Sequence, residues 1–212
     1  MNRKGILVVI SGFSGVGKGT LVRRLMERYK EQYALSVSAT TREPREGEQD
    51  GREYFFRKKE EFVKLIADDE LLEYASYCGN YYGTPKAYVE DQMAQGRDVI
   101  LEIELQGALK IKEKRPDTFL VYVMPPDART LVDRLTNRGT ETPEKVHERL
   151  TRALEEADEV AKYEFVVIND DLDRSAEELH QLIEVQHNKI DRNLEFISQV
   201  QRELKAYLKG EQ

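Results

Sequence analysis

With 212 residues, 40% of them hydrophobic and 34% charged, the chain is long enough for one α/β domain with insertions and too rich in apolar periodicity to be disordered. A formal net charge of −7 argues against a general nucleic-acid-binding surface, and no apolar run approaches the length of a membrane span. A single cysteine, Cys78, excludes an intramolecular disulfide framework; Met1-Asn2-Arg3-Lys4 leads only into a strand-length apolar run, so a cytoplasmic protein without a signal peptide is expected.

The first element, Ile6 to Ser11, reads as a buried strand. It runs straight into Gly12-Phe13-Ser14-Gly15-Val16-Gly17-Lys18-Gly19-Thr20 and then a helix. The glycines let the backbone curl so that successive N–H groups point at phosphate oxygens, the helix dipole adds its positive end, and Lys18 adds a full charge, which together make a triphosphate cradle. In the GxxxxGK pattern a Ser or Thr normally follows the Lys and ligates magnesium; here Gly19 follows and the hydroxyl comes one residue later, on Thr20.

The helix is expected over 20–33, with a second strand at 34–38. From Ala39 to about Tyr82 the chain turns rich in Arg, Glu, Gly and Tyr, with short strands expected at 54–56, 71–74 and 81–82 and a helix near 60–67, which reads as an inserted, partly antiparallel lobe. Alternation then resumes: a helix opening at Thr84-Pro85 and running to about Gln95, a strand at 99–103, a helix over 106–114, and a strand at 119–124 stopped by Pro125-Pro126. Helices over 127–138 and from Pro143 to about Tyr163 flank a break at Gly139-Thr140-Glu141-Thr142; a strand follows at 165–169, and Ser175-Ala176-Glu177-Glu178 fits a capping box opening a C-terminal helix. Ile190, Leu194, Ile197, Leu204 and Leu208 form a stripe on its extension, expected to pack on the chain's own core, with another subunit as the alternative. The whole implies a parallel sheet covered by helices on both faces, with ligands at the carboxyl ends of its strands.

Four clusters beyond the loop carry chemistry. Arg42 and Arg45, three apart after the hydroxyl-rich Ser38-Ala39-Thr40-Thr41, suit one phosphate, with Tyr54 able to complete the grip. Glu73 stands with Tyr82, Gly83 and Thr84, and Glu102 and Glu104 are placed two apart on one strand, hence on one face. Carboxylates among apolar residues need partners, and the N1–H and N2 donors of guanine are such partners; Glu102 has the alternative of organising magnesium. Arg134 and Arg138, four apart on one helix face, with Arg149 and Arg152 on the next helix, make a lid that would bring cations onto transferring phosphates.

From Gly5 to about Glu184 the chain resembles a guanylate kinase, of the nucleoside monophosphate kinase branch of the P-loop fold. The resemblance rests on GFSGVGKGT from Gly12, SVSATTREPREGEQDGREYFF from Ser36, the LLEYA and GNYYGTP segments, LEIELQGA from Leu101, RLTNRGTET from Arg134 and VINDDLD from Val167. It implies transfer of the ATP γ-phosphoryl group to GMP, and dGMP with it, with Mg2+ held mainly by ATP phosphates and water and with Thr20 or Glu102 as alternative protein ligands. It implies that Arg42, Arg45, Tyr54 and Tyr82 bind the GMP phosphate, that Ser38, Glu73, Thr84 and Glu104 read guanine, and that Arg134, Arg138 and Arg149 serve the ATP phosphates and the transition state. Asn169 would lie near the adenine. The expected organisation is one domain over 1–212, with core segments 1–38, 85–133 and 150–185, a GMP-binding lobe at 39–84, a lid at 134–149 and a C-terminal extension at 186–212. A non-catalytic interaction module and a kinase for a different monophosphate are the competing readings; the intact Lys18 and loop glycines disfavour the first, and Glu73 with Glu104 the second.

Overall fold

The computed structural model describes residues 3–77, 79–137 and 142–209. Its centre is a parallel sheet of five strands, β1 (Leu7–Gly12), β2 (Tyr33–Leu35), β7 (Asp98–Glu102), β8 (Phe119–Met124) and β9 (Phe165–Ile168), in the order β2-β7-β1-β8-β9. Strands buried on both faces need apolar residues at every position, which is why Leu7-Val8-Val9-Ile10 and Phe119-Leu120-Val121-Tyr122-Val123 read as continuous runs rather than as alternations. The period of two still sorts them. Val8 and Ile10 join Leu21 and Leu25 of α1 (Lys18–Arg28) and Leu179 and Ile183 of α7 (Leu172–Gln186), whereas Leu7 and Val9 join Val89 and Met93 of α3 (Lys86–Ala94) and Ala108 and Ile111 of α4 (Leu105–Lys114).

A second, mixed sheet has the order β4-β3-β6-β5, built from β3 (Ala39–Thr40), β4 (Phe55–Phe56), β5 (Leu71–Tyr77) and β6 (Asn80–Pro85). Its small core is Ala39, Phe62 and Leu71, with Phe62, from α2 (Lys59–Ala67), stacked on Tyr81. Two further helices, α5 (Ala128–Thr136) and α6 (Pro143–Ala157), stand beside the carboxyl end of β8. The connection after β1 runs through α1 to β2 on one side, whereas the connection after β7 runs through α4 past β1 to β8 on the other, and the crevice formed where the direction reverses receives the loop after β1.

Several boundaries differ from the expectation for local reasons. Helix α1 stops at Arg28, five residues early, because Tyr29 leaves helical geometry to stack on His180 while Tyr33 turns into β2 and is buried with its hydroxyl 2.7 Å from His180 Nδ1. Residues 36–38 lie outside any strand, and the strand that pairs with the second sheet is the unanticipated Ala39–Thr40. Helix α6 ends at Ala157 rather than near Tyr163, whose ring is drawn down edge-on against Tyr122. The cap of α7 is Asp171, which accepts from Arg174 N at 2.8 Å; Ser175 lies one turn inside, buried, and donates to Ile168 O instead of opening the helix. The C-terminal segment is not one continuous helix: a 3-10 turn at Ile190–Arg192 precedes α8 (Leu194–Lys209), and of the expected apolar stripe Ile197 is half-buried while Ile190, Leu194, Leu204 and Leu208 stay exposed.

Candidate active site

The loop between β1 and α1 closes by Val16 N donating to Phe13 O and by Gly17 standing as the helix cap. Two of its turns require positive φ, +88° at Gly15 and +95° at Gly17, and both are crowded: a Cβ at Gly15 would sit 2.5 Å from Leu135 Cδ2, and one at Gly17 would sit 2.8 Å from Asn169 Nδ2. The loop is braced from behind. Val16 O accepts from Asn169 Nδ2 and from Arg134 Nη1, both at 2.9 Å, and Arg134 Nη2 also donates to Asn169 O at 2.8 Å. Arg149 of α6 donates to Ser14 Oγ at 2.6 Å.

Lys18 Nζ donates to Gly12 O at 2.5 Å and to Phe13 O at 3.3 Å. Beside it, at the last residue of β7, Glu102 is open to water yet surrounded by the walls of the cleft; this burial pushes its carboxyl above the usual range while the charge of Lys18 pulls it back. A Cβ at Gly19 would lie 3.6 Å from Glu102 Oε2, so the carboxylate stands where the side chain missing at position 19 would reach. Thr20 is exposed on the first turn of α1.

On the second sheet, the Arg42 guanidinium pairs with Glu48 at 2.9 Å and lies 5.3 Å from the Tyr54 ring centroid and 5.9 Å from that of Phe56. The Tyr54 and Tyr82 rings meet edge to face at 6.0 Å. Arg45 is exposed at the rim, its backbone N–H donating to Glu48 Oε2. Two residues along β6 from Tyr82, and therefore on the same face, buried Thr84 donates to Glu73 Oε1 at 2.8 Å. Desolvation holds the Glu73 carboxyl above its ordinary range, opposed by the Thr84 hydrogen bond and then by Lys110 and Lys114. Ser38 is half-buried at the root of this sheet, where its carbonyl accepts from Phe55 N.

The guanylate kinase family profile matches residues 4–186. The chain belongs to the guanylate kinase family. It is 45% identical over 203 residues to the guanylate kinase of Caldanaerobacter subterraneus subsp. tengcongensis, covering 96% of this chain and 98% of that one, and 46% identical over 192 residues to that of Streptococcus agalactiae, covering 91% and 92%. The crystal structure of guanylate kinase from Anaplasma phagocytophilum is similar with a TM-score of 0.69 and 29% identity, over 92% of this chain and 94% of that one.

Within this guanylate kinase fold, one expected placement is overturned. Glu102 and Glu104 do not share a strand face, because β7 ends at Glu102: Ser11 Oγ donates to Ile103 O at 2.7 Å, and Glu104 becomes the cap residue of α4, exposed and ion-paired with Arg152. Arg138 falls outside the described residues. Two participants were given no role from sequence: Glu48, which holds Arg42, and Gly107, where a Cβ would lie 3.6 Å from Glu73 Oε2; the Val16 carbonyl, on which Arg134 and Asn169 converge, belongs to the expected ATP loop.

Proposed function

We propose that this guanylate kinase transfers the γ-phosphoryl group of ATP to a phosphate oxygen of GMP or dGMP, releasing ADP and GDP or dGDP. The observation that supports the reading is that Tyr82 and Thr84 stand two apart on β6 and so on one face; with Tyr82 gripping phosphate and Thr84 reading the base, one strand would meet a mononucleotide at both ends. Arg42, Arg45, Tyr54 and Tyr82 neutralise the acceptor phosphate so that its oxygen can approach a second polyanion. Ser38, Glu73, Thr84 and Glu104 read the guanine edge. The bond from the γ-phosphorus to the β–γ bridging oxygen breaks as the bond to the GMP oxygen forms, with the charge of the transferring group met by Lys18, Arg134, Arg138 and Arg149. Asn169 holds the loop and borders the adenine.

Magnesium fits the donor set, since Glu102 presents carboxylate oxygens beside Gly19 and Thr20 presents a hydroxyl on the first turn of α1; bound with ATP it neutralises phosphate charge. Residues 39–84 act as a GMP-binding lobe and 134–149 as a lid that excludes water. The setting is the cytoplasm, with no nucleic acid as partner. No helix among the described residues is long and apolar enough to cross a membrane. The test is ADP production from ATP and magnesium with GMP, dGMP, AMP, CMP or UMP supplied in turn. GMP and dGMP should support turnover and Lys18→Ala should lose about a hundredfold or more of it; equal use of AMP, or undiminished turnover by the variant, would overturn the reading.

A further inference from the structure

Tyr122 stands in the middle of β8, fully buried, and carries a hydroxyl that needs a partner there. That partner is Glu156, in the last turn of α6, whose Oε2 accepts from the Tyr122 hydroxyl at 3.2 Å. Burial, and then the negative charge of Glu156, push the pKa of the phenol up, so the hydroxyl keeps its proton and remains the donor. The second carboxylate oxygen of Glu156 accepts from Arg152 Nε at 3.2 Å. The Tyr122 ring meets Phe13 of the phosphate loop edge to face, with centroids 5.5 Å apart.

At about 100° per residue, Arg149, Arg152 and Glu156 lie within roughly 60° of one another, along one border of the apolar stripe Val146, Leu150 and Ala153 that α6 packs on the core. The helix is therefore fastened to the phosphate loop at two points. Arg149 donates to Ser14 Oγ at 2.6 Å, and Glu156 reaches the neighbouring Phe13 through the Tyr122 ring. Apolar contacts hold α6 against the core without fixing its angle, whereas a hydrogen bond to a strand-borne hydroxyl is directional. The two points are about 10 Å apart along the axis, so a tilt of about 6° at Glu156 moves Arg149 by about 1 Å. A displacement of that size is enough to cost about a hundredfold where a charge must meet a reacting group.

We propose that, given the role assigned to Arg149 in the transfer, Glu156 held by Tyr122 is its positioning residue: the pair sets the angle of α6 and so the place at which Arg149 meets the ATP phosphates. Steady-state kinetics of the full chain with ATP and GMP test this. Glu156→Ala and Tyr122→Phe should each lower kcat by about fivefold or more while the KM for GMP stays within about twofold. Glu156→Gln, whose amide oxygen can still accept from Tyr122, should lose clearly less than Glu156→Ala. Glu155→Gln, an exposed neighbour on α6, should turn over at the parent level. In an Arg149→Ala background, Glu156→Ala and Tyr122→Phe should each cost less than about twofold more, because the group they position is gone. Losses that persist in full in that background, a KM for GMP that rises as kcat falls, or parent-level kcat in both single variants would each overturn the proposal. Parent-level turnover by Arg149→Ala alone, read with Glu156 intact, would remove the role of Arg149 itself and the proposal with it.

Discussion

Thr84 donates its hydroxyl hydrogen to Glu73 Oε1 at 2.8 Å, across the antiparallel pair β5–β6 and out of reach of bulk water. The bond fixes one carboxylate oxygen; in the proposed function the other oxygen accepts from the guanine edge. Glu73→Gln keeps the shape, and the amide oxygen can still accept from Thr84, but an NH2 then faces the guanine donors. Losing one charge-assisted bond at this site should lower kcat/KM for GMP by about thirtyfold or more while the KM for ATP stays within a small factor. Inosine monophosphate lacks only the N2 amino group, so its deficit against GMP should shrink in the variant. Steady-state kinetics with the two acceptors measure this; an unchanged ratio would remove Glu73 from base reading.

The same carboxyl makes stability depend on pH in a stated direction. Burial raises its folded pKa above the unfolded value, so between the two the folded state holds the extra proton and stability falls as pH rises through that window. Below the unfolded value the cost is absent; above the folded value it is fully present. Glu73→Gln should therefore raise the melting temperature at pH 8, and the gain should fade as the pH is lowered through the window. Thermal denaturation of both proteins across that range decides it, and a gain independent of pH would assign the effect to packing.

The parallel core was legible because its strands are buried on both faces and its helices carry apolar residues at helical spacing, so Val8, Ile10, Leu21 and Leu25 announce their contacts without knowledge of anything distant. The loop was legible because its glycines and Lys18 follow from backbone geometry alone. What was not legible depended on tertiary partners. Past the end of β7 at Glu102, Ile103 O accepts from Ser11, ninety-two residues away in sequence, and Glu104 caps α4 instead of sharing a strand face with Glu102. The start of α7 was misplaced because Asp171 and Ser175 both suit a cap, and only the burial of Ser175 against Ile168 distinguishes them.

The crowding at Gly17 makes a sharp test of how the phosphate loop is held. Gly17→Ala meets both a backbone region that L-residues rarely adopt and an amide nitrogen at 2.8 Å, so Asn169 must give up its bond to Val16 O. Destabilisation of about 1–3 kcal/mol is expected from the strain, together with a larger loss of turnover than of GMP affinity. Urea unfolding and isothermal titration with GMP measure the two parts. A variant of parent stability would mean that the loop relaxes without Asn169.

The ion pair between Arg152 on α6 and Glu104 at the cap of α4 joins the helix that also touches Ser14 to the segment that follows β7. Both side chains are more than half exposed, and Arg152 also pairs with Glu156 at 3.2 Å, so the pair should contribute no more than about 1 kcal/mol to stability. Its effect is expected in catalysis, because α6 presents Arg149 to the loop one turn before it presents Arg152 to Glu104. Arg152→Ala and Glu104→Gln should each lower kcat/KM for GMP, and the double variant should lose clearly less than the product of the two single losses, while all three melt within a few degrees of the parent. Arg152→Lys should recover only part, since an ammonium keeps the charge without the planar fork. A double-mutant cycle in kcat/KM measured with saturating ATP reads the coupling directly. Multiplicative losses would show that Glu104 and Arg152 act independently, and a coupling that appears equally in the melting temperature would make the pair structural.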